Sequence, residues 1–119
     1  MIKNVSFVGL GVMGFPMAGY LQQAGYSTTV YNRTTTKAED CKDRHGGKTA
    51  STPAEAAVGS QIVFMCVGND DDVRSVVYGD TGVLAGMESG SVLVDHTTAS
   101  AEIAKEIAEV AETQNIGFI

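Results

Sequence analysis

Near the N-terminus, Gly9-Leu10-Gly11-Val12-Met13-Gly14 has the residue types and spacing G-x-G-x-x-G. Alone the pattern says little in a chain with 14 glycines, because a glycine cluster also makes an ordinary tight turn. Its setting is more telling. It follows the apolar run Val5 to Val8 and opens the segment Met13 to Ala24, where Met17, Ala18 and Leu21 recur at helical spacing. A strand, a glycine turn and a helix in that order can hold the pyrophosphate of a dinucleotide. Gly9 allows the tight exit from the strand, Gly11 removes a Cβ that would meet the phosphates, and Gly14 lets helix and strand approach. The free N–H groups and positive dipole end of the helix then face the anion.

A second group of residues selects the dinucleotide. An NAD site commonly places Asp or Glu about 20 residues beyond the loop, accepting hydrogen bonds from the ribose 2′-OH. Here the β-branched and aromatic run Ser27 to Tyr31 ends in Asn32-Arg33-Thr34, with Lys37 one turn further on. A carboxylate would repel a 2′-phosphate. Asn32 carries no charge, Arg33 can pair with the phosphate and Thr34 can donate to it, so NADP(H) is expected ahead of NAD(H). Charge distribution points the same way. Residues 1–50 carry net +3 and residues 51–119 net −9 within an overall −6, so the basic half is also the half with the glycine loop. The overall acidity argues against nucleic-acid binding.

The elements that must position these residues alternate between strand and helix periods, the pattern of βαβ units around a parallel sheet. Gly25 is placed as the stop of the first helix. A polar helix runs from Thr34 to about His45, closed by Gly46-Gly47, and Lys48-Thr49-Ala50 reads as a short third strand. Thr52, Pro53 and Glu55 spell an N-cap, a first-turn proline and a capping box. Ile62 to Val67 is the near-continuous apolar run of a strand covered on both faces. Gly68 to Asp72 reads as a loop leading into a helix near Val73 to Tyr78, and Gly79 to Gly82 as a turn. Ser91 to Asp95 is a fifth strand, followed by a helix with Ile103, Ile107 and Val110 inward and Thr98 or Ser100 as cap. Asn115 to Ile119 begins a sixth strand. The expected fold is therefore α/β, a doubly wound Rossmann-type sheet formed by one domain over residues 1–119.

The 119 residues suffice for a core without disulfides or a structural metal. Cys41 and Cys66 fall in different elements with no metal-ligand spacing. No secretory leader and no apolar run of membrane-spanning length is evident, so a cytoplasmic protein without membrane or nucleic-acid partners is expected. Asp70-Asp71-Asp72 invites a metal reading, but consecutive residues at a helix start do not converge on one ion. Favourable charge against the helix dipole is the better account.

Three stretches together resemble the β-hydroxyacid dehydrogenase family, which includes 3-hydroxyisobutyrate dehydrogenase, glyoxylate/succinic semialdehyde reductases and 6-phosphogluconate dehydrogenase. They are Gly9 to Ala18 with its Met-Gly-x-Pro-Met-Ala continuation, Ala24-Gly25-Tyr26 with Val30 to Thr34, and Asp95 to Ser100. The resemblance covers essentially the whole chain. It implies that Cys66, Val67 and Gly68 line the cofactor's ribose and pyrophosphate and that Asp72 and Val73 lie beside the adenosine half. Thr98 would contact the nicotinamide ribose, with Thr97 and Ser100 near the substrate. Ala101 stands where the family usually has proline. His96 is of a residue type that often serves as a general acid, but it occupies a position that varies in the family, and it is not assigned a catalytic role.

The resemblance also implies a general-acid lysine on a helix of a separate C-terminal domain, so no catalytic residue is expected within these residues. Full-length, such a protein would be a homo-oligomeric NADP-dependent oxidoreductase acting on a small 3-hydroxy acid or semialdehyde. Alternatives are a non-catalytic cofactor-binding or assembly module, and another NADP-dependent Rossmann reductase lacking the Met-Gly-x-Pro-Met-Ala continuation.

Overall fold

The computed structural model describes residues 3–9, 14–33, 35–67, 69–96 and 100–119, without the side chains of Phe15, Thr35, Lys37 and His45. Strands β1 (Asn4–Val8), β2 (Ser27–Tyr31), β3 (Lys48–Thr49), β4 (Ile62–Met65), β5 (Val92–Asp95) and β6 (Gly117–Phe118) form one sheet. Their order is β3-β2-β1-β4-β5-β6, and every pairing is parallel. This is the doubly wound Rossmann order, in which the chain reverses its direction of travel across the sheet after β3.

Side-chain alternation along the strands builds two cores. On one face Phe7 and Val30 pack with Ala18 of α1 (Gly14–Gln23) and with Ala38 and Cys41 of α2 (Thr35–His45). On the other, Val8, Val63, Met65 and Leu93 meet α3 (Pro53–Ala57), α4 (Asp70–Val77), α5 (Val83–Gly86) and α6 (Ala101–Thr113). Phe7, Val8, Val63 and Met65 have no exposed surface, as the apolar runs of β1 and β4 require of strands covered on both sides. The rings of Phe7 and Phe64 stack at 5.9 Å across the β1–β4 pairing, and His96 stacks on Phe64 at 6.0 Å.

Local chemistry sets the helix boundaries. Thr52 accepts the Glu55 N–H at 3.1 Å, with Pro53 at the first helical position. The helix expected near Val73 begins at Asp70, because Asn69 accepts the Asp72 N–H at 3.0 Å and closes the first turn. Helix α5 has no counterpart in the sequence reading. Its four residues are too few to show a period, and it forms because Val83, Leu84 and Met87 are buried in the shared core. Helix α6 is capped by Ser100, whose oxygen accepts the Ile103 N–H at 3.2 Å. That cap contributes about 1 kcal/mol, whereas burying Ile103 and Ile107 completely is worth about 1.5–3 kcal/mol each. Packing therefore decides where α6 lies, and the cap decides where it starts.

Ser6 is a polar exception at the centre of β1. It is fully buried, and its hydroxyl has no hydrogen-bond partner among the described residues. An unpaired buried hydroxyl costs stability that removal recovers. Urea denaturation of Ser6→Ala is expected to show unchanged stability or a gain of up to about 1 kcal/mol. A loss larger than that would show that the hydroxyl has a partner.

Candidate functional site

The sheet order reverses between β1 and β4, and the crevice beyond the carboxyl ends of such strands is where doubly wound folds bind ligands. Gly9 occupies that edge. Its N–H donates to the Tyr31 carbonyl at 2.8 Å, while the Cys66 N–H donates to the Val8 carbonyl at 2.9 Å. The strand end is thus held between β2 and β4. The Gly9 backbone has φ +94°, a conformation favourable to glycine. A Cβ there would overlap the Cys66 carbonyl oxygen and come within 2.8 Å of Val67 Cγ1. Only a residue without a side chain lets β1 leave the sheet this close to β4.

Helix α1 begins at Gly14, so its N-terminus opens on the same edge. A closely packed strand exit beside a helix N-terminus fits a pyrophosphate, which needs close backbone approach and unpaired N–H groups. Leu10, Gly11, Val12 and Met13, as well as Thr34, Gly68, Thr97 and Thr98, lie outside the described residues. Lys37 is in the first turn of α2, and its side chain is likewise not described.

The described candidates do gather at this edge. Asn32 is half-buried and Arg33 exposed directly after β2, and Cys66 and Val67 are half-buried directly after β4. Burial, reinforced by nearby Asp95, raises the Cys66 thiol above its ordinary pKa, which keeps it protonated and weakly nucleophilic. Arg33 Nη1 lies 3.4 Å from Asp72 Oδ1, joining the end of β2 to the first turn of α4. Val73 corrects an expectation. It has no exposed surface, so its role is to anchor α4 in the core, and it offers no contact beside an adenosine.

Ser100, expected near the substrate, is drawn into a different set of contacts. Its N–H and hydroxyl donate to Asp70 Oδ1 and Oδ2 at 2.9 and 2.5 Å, while the hydroxyl oxygen caps α6. Its single donor is therefore committed, leaving one lone pair for anything else. No local pattern marks Asp70 as the partner, since the two residues are thirty positions apart. Each aspartate in the run has its own contact: Asp70 with Ser100, Asp71 with Arg74 at 3.8 Å, and Asp72 with Arg33. Among the described residues no group of His, Cys, Asp and Glu could hold a metal ion, and no helix is long and apolar enough to cross a membrane.

Residues 4–119 match the family described as the NAD binding domain of 6-phosphogluconate dehydrogenase. The chain belongs to this family. An uncharacterized oxidoreductase of Shewanella frigidimarina is 58% identical over 99% of the chain, which spans 40% of that relative. A probable 3-hydroxyisobutyrate dehydrogenase-like protein of Arabidopsis thaliana is 44% identical over 87% of the chain and 34% of its own length. Among solved structures, 3-hydroxyisobutyrate dehydrogenase of Mycobacterium tuberculosis with L-serine superposes with a TM-score of 0.88 at 27% identity, over 99% of this chain and 39% of that one. An imine reductase of Myxococcus stipitatus solved with NADP+ has a TM-score of 0.85 at 29% identity, over 98% of this chain and 39% of its own. Its V8 variant solved with NAD+ has a TM-score of 0.86 at 26% identity, over 99% and 40%. The two imine reductase structures thus hold NADP+ and NAD+ respectively on a fold that this chain shares, and the chain carries the NAD binding domain of the 6-phosphogluconate dehydrogenase family.

The Asp70–Ser100 contact carries a pH signature. Hydrogen bonds from the Ser100 hydroxyl and N–H, aided by Arg74, hold the Asp70 carboxyl below its ordinary pKa. A lowered carboxylate pKa contributes stability above the unfolded value and loses it as pH falls through the folded one. Denaturation of wild type and Asp70→Asn should show a stability difference that is constant above about pH 5 and shrinks below about pH 4. A difference unchanged across that range would contradict the contact.

Proposed function

We propose that this chain is the NADP(H)-binding domain of an oxidoreductase that moves hydride between NADP(H) and a small 3-hydroxy acid or semialdehyde. The carrying observation is the carboxyl edge of β2, where neutral Asn32 stands in the place of a ribose-binding carboxylate and Arg33 is exposed beside it. A 2′-phosphate gains a charge-assisted pairing with Arg33 and meets no acid in that position. Thr34 and Lys37 extend the same phosphate subsite.

In this reading Gly9, Leu10, Gly11, Val12, Met13 and Gly14 receive the pyrophosphate at the start of α1. Cys66, Val67 and Gly68 line the ribose side, Asp72 borders the adenosine, and Thr98 reaches the nicotinamide ribose. Thr97 lies toward the substrate, and Ser100 with Asp70 holds the start of α6 beneath it. The bound nicotinamide supplies the hydride chemistry. The chain's own residues would hold and orient it.

The proton is assigned to a lysine of a helical C-terminal domain outside these residues. Lys48 opens β3 and Lys105 lies on the exposed face of α6, and neither borders the crevice. The chain's 40% share of the Shewanella relative supports a longer protein. That protein would work in the cytoplasm as a homo-oligomer on a small-molecule substrate.

Calorimetric titration of the chain with NADPH and NADH tests this reading. NADPH is expected to bind roughly tenfold more tightly, the scale of one charge-assisted contact. Equal affinities, or tighter NADH, would overturn the assignment of Arg33. No binding of either would overturn the dinucleotide reading itself.

A further inference from the structure

We infer that Asp72 tunes the cofactor preference by competing with a 2′-phosphate for Arg33. The inference rests on the phosphate-binding role proposed above for Arg33. Its observation is the Arg33–Asp72 ion pair at 3.4 Å, in which the arginine side chain is 84% exposed and the aspartate side chain 28% exposed.

The two partners differ in freedom. Asp72 is fixed from both sides of its backbone: its N–H donates to the Asn69 side chain at 3.0 Å, and its carbonyl accepts the Ser75 hydroxyl at 2.8 Å. Arg33 follows a strand end on a long side chain that lies mostly in solvent. Arginine is therefore the member that can turn toward an incoming anion, and the carboxylate is the member that stays. The other acids of the same turn do not substitute for it, because Asp70 is bound to Ser100 and Asp71 faces Arg74.

Sheet order gives the pair its position. β2 and β4 flank β1, so a contact from the residues after β2 to the first turn of α4 crosses the carboxyl end of β1 beside Gly9. A phosphate reaching Arg33 must take it from Asp72 and remain near a carboxylate that repels it. A 2′-hydroxyl carries no charge and meets neither penalty. Asp72 thus lowers the advantage that Arg33 gives to a phosphorylated cofactor, while holding the guanidinium near the place where the phosphate arrives.

A double-mutant cycle on the chain separates the two claims, using NADPH and NADH affinities of wild type, Arg33→Gln, Asp72→Asn and the double variant. Asp72→Asn is expected to raise the NADPH-over-NADH preference about two- to five-fold, the range of an exposed ion pair. In the Arg33→Gln background the same substitution should raise the preference less, because only the direct repulsion between carboxylate and phosphate is then left to remove. Asp72→Ser gives a second variant should the asparagine disturb the α4 turn, with the same result expected. If Arg33→Gln lowers the preference but Asp72→Asn leaves or lowers it, or acts equally in both backgrounds, the competition is overturned and the role of Arg33 survives. If Arg33→Gln leaves the preference unchanged, the cofactor assignment fails and this inference with it.

Discussion

The close approach of the end of β1 to the end of β4 governs the binding edge. Gly9 turns out of the sheet at positive φ against the Cys66 carbonyl and the Val67 side chain, where any Cβ would force the strands apart. That approach brings the start of α1, the residues after β2 and those after β4 to one crevice. The parallel sheet makes the convergence possible, because all its strands present their carboxyl ends on the same side. Apolar burial on both faces holds the frame, and the polar contacts at the edge adjust it.

Those polar contacts divide the work of three consecutive acids. Any acid in the first turn of α4 gains from the helix dipole, which explains their type but not their separate uses. Asp70 ties α4 to the start of α6, Asp71 stays with Arg74 on its own helix, and Asp72 reaches across the crevice to Arg33. The acid-rich second half of the chain therefore meets the basic first half at the proposed cofactor edge.

Much of this was legible in the residues because its causes are local. The apolar runs of β1 and β4, the spacing of Ile103 and Ile107, the Thr52-Pro53-Glu55 cap and the glycine turn each announce themselves over a few positions. What was illegible depends on tertiary contact. Helix α5 exists because its four residues are pressed into a core built by distant elements. The Asp70–Ser100 and Arg33–Asp72 contacts join residues thirty and thirty-nine positions apart, a separation that leaves no pattern in the chain. Val73 was misplaced for a related reason. Its neighbour Asp72 points to the edge, and a helix turns the next residue some 100° away, here into the core.

The most direct measurement of where a dinucleotide sits is amide resonance mapping of the isotope-labelled chain during titration with NADPH. The account places the large shifts at Gly9, Gly14, Asn32, Arg33, Val67 and Asp72, all at the carboxyl edge. Gln61 and Ser91, at the amino ends of β4 and β5, should stay still. Shifts concentrated at those amino ends, with the Gly9 region unchanged, would contradict it.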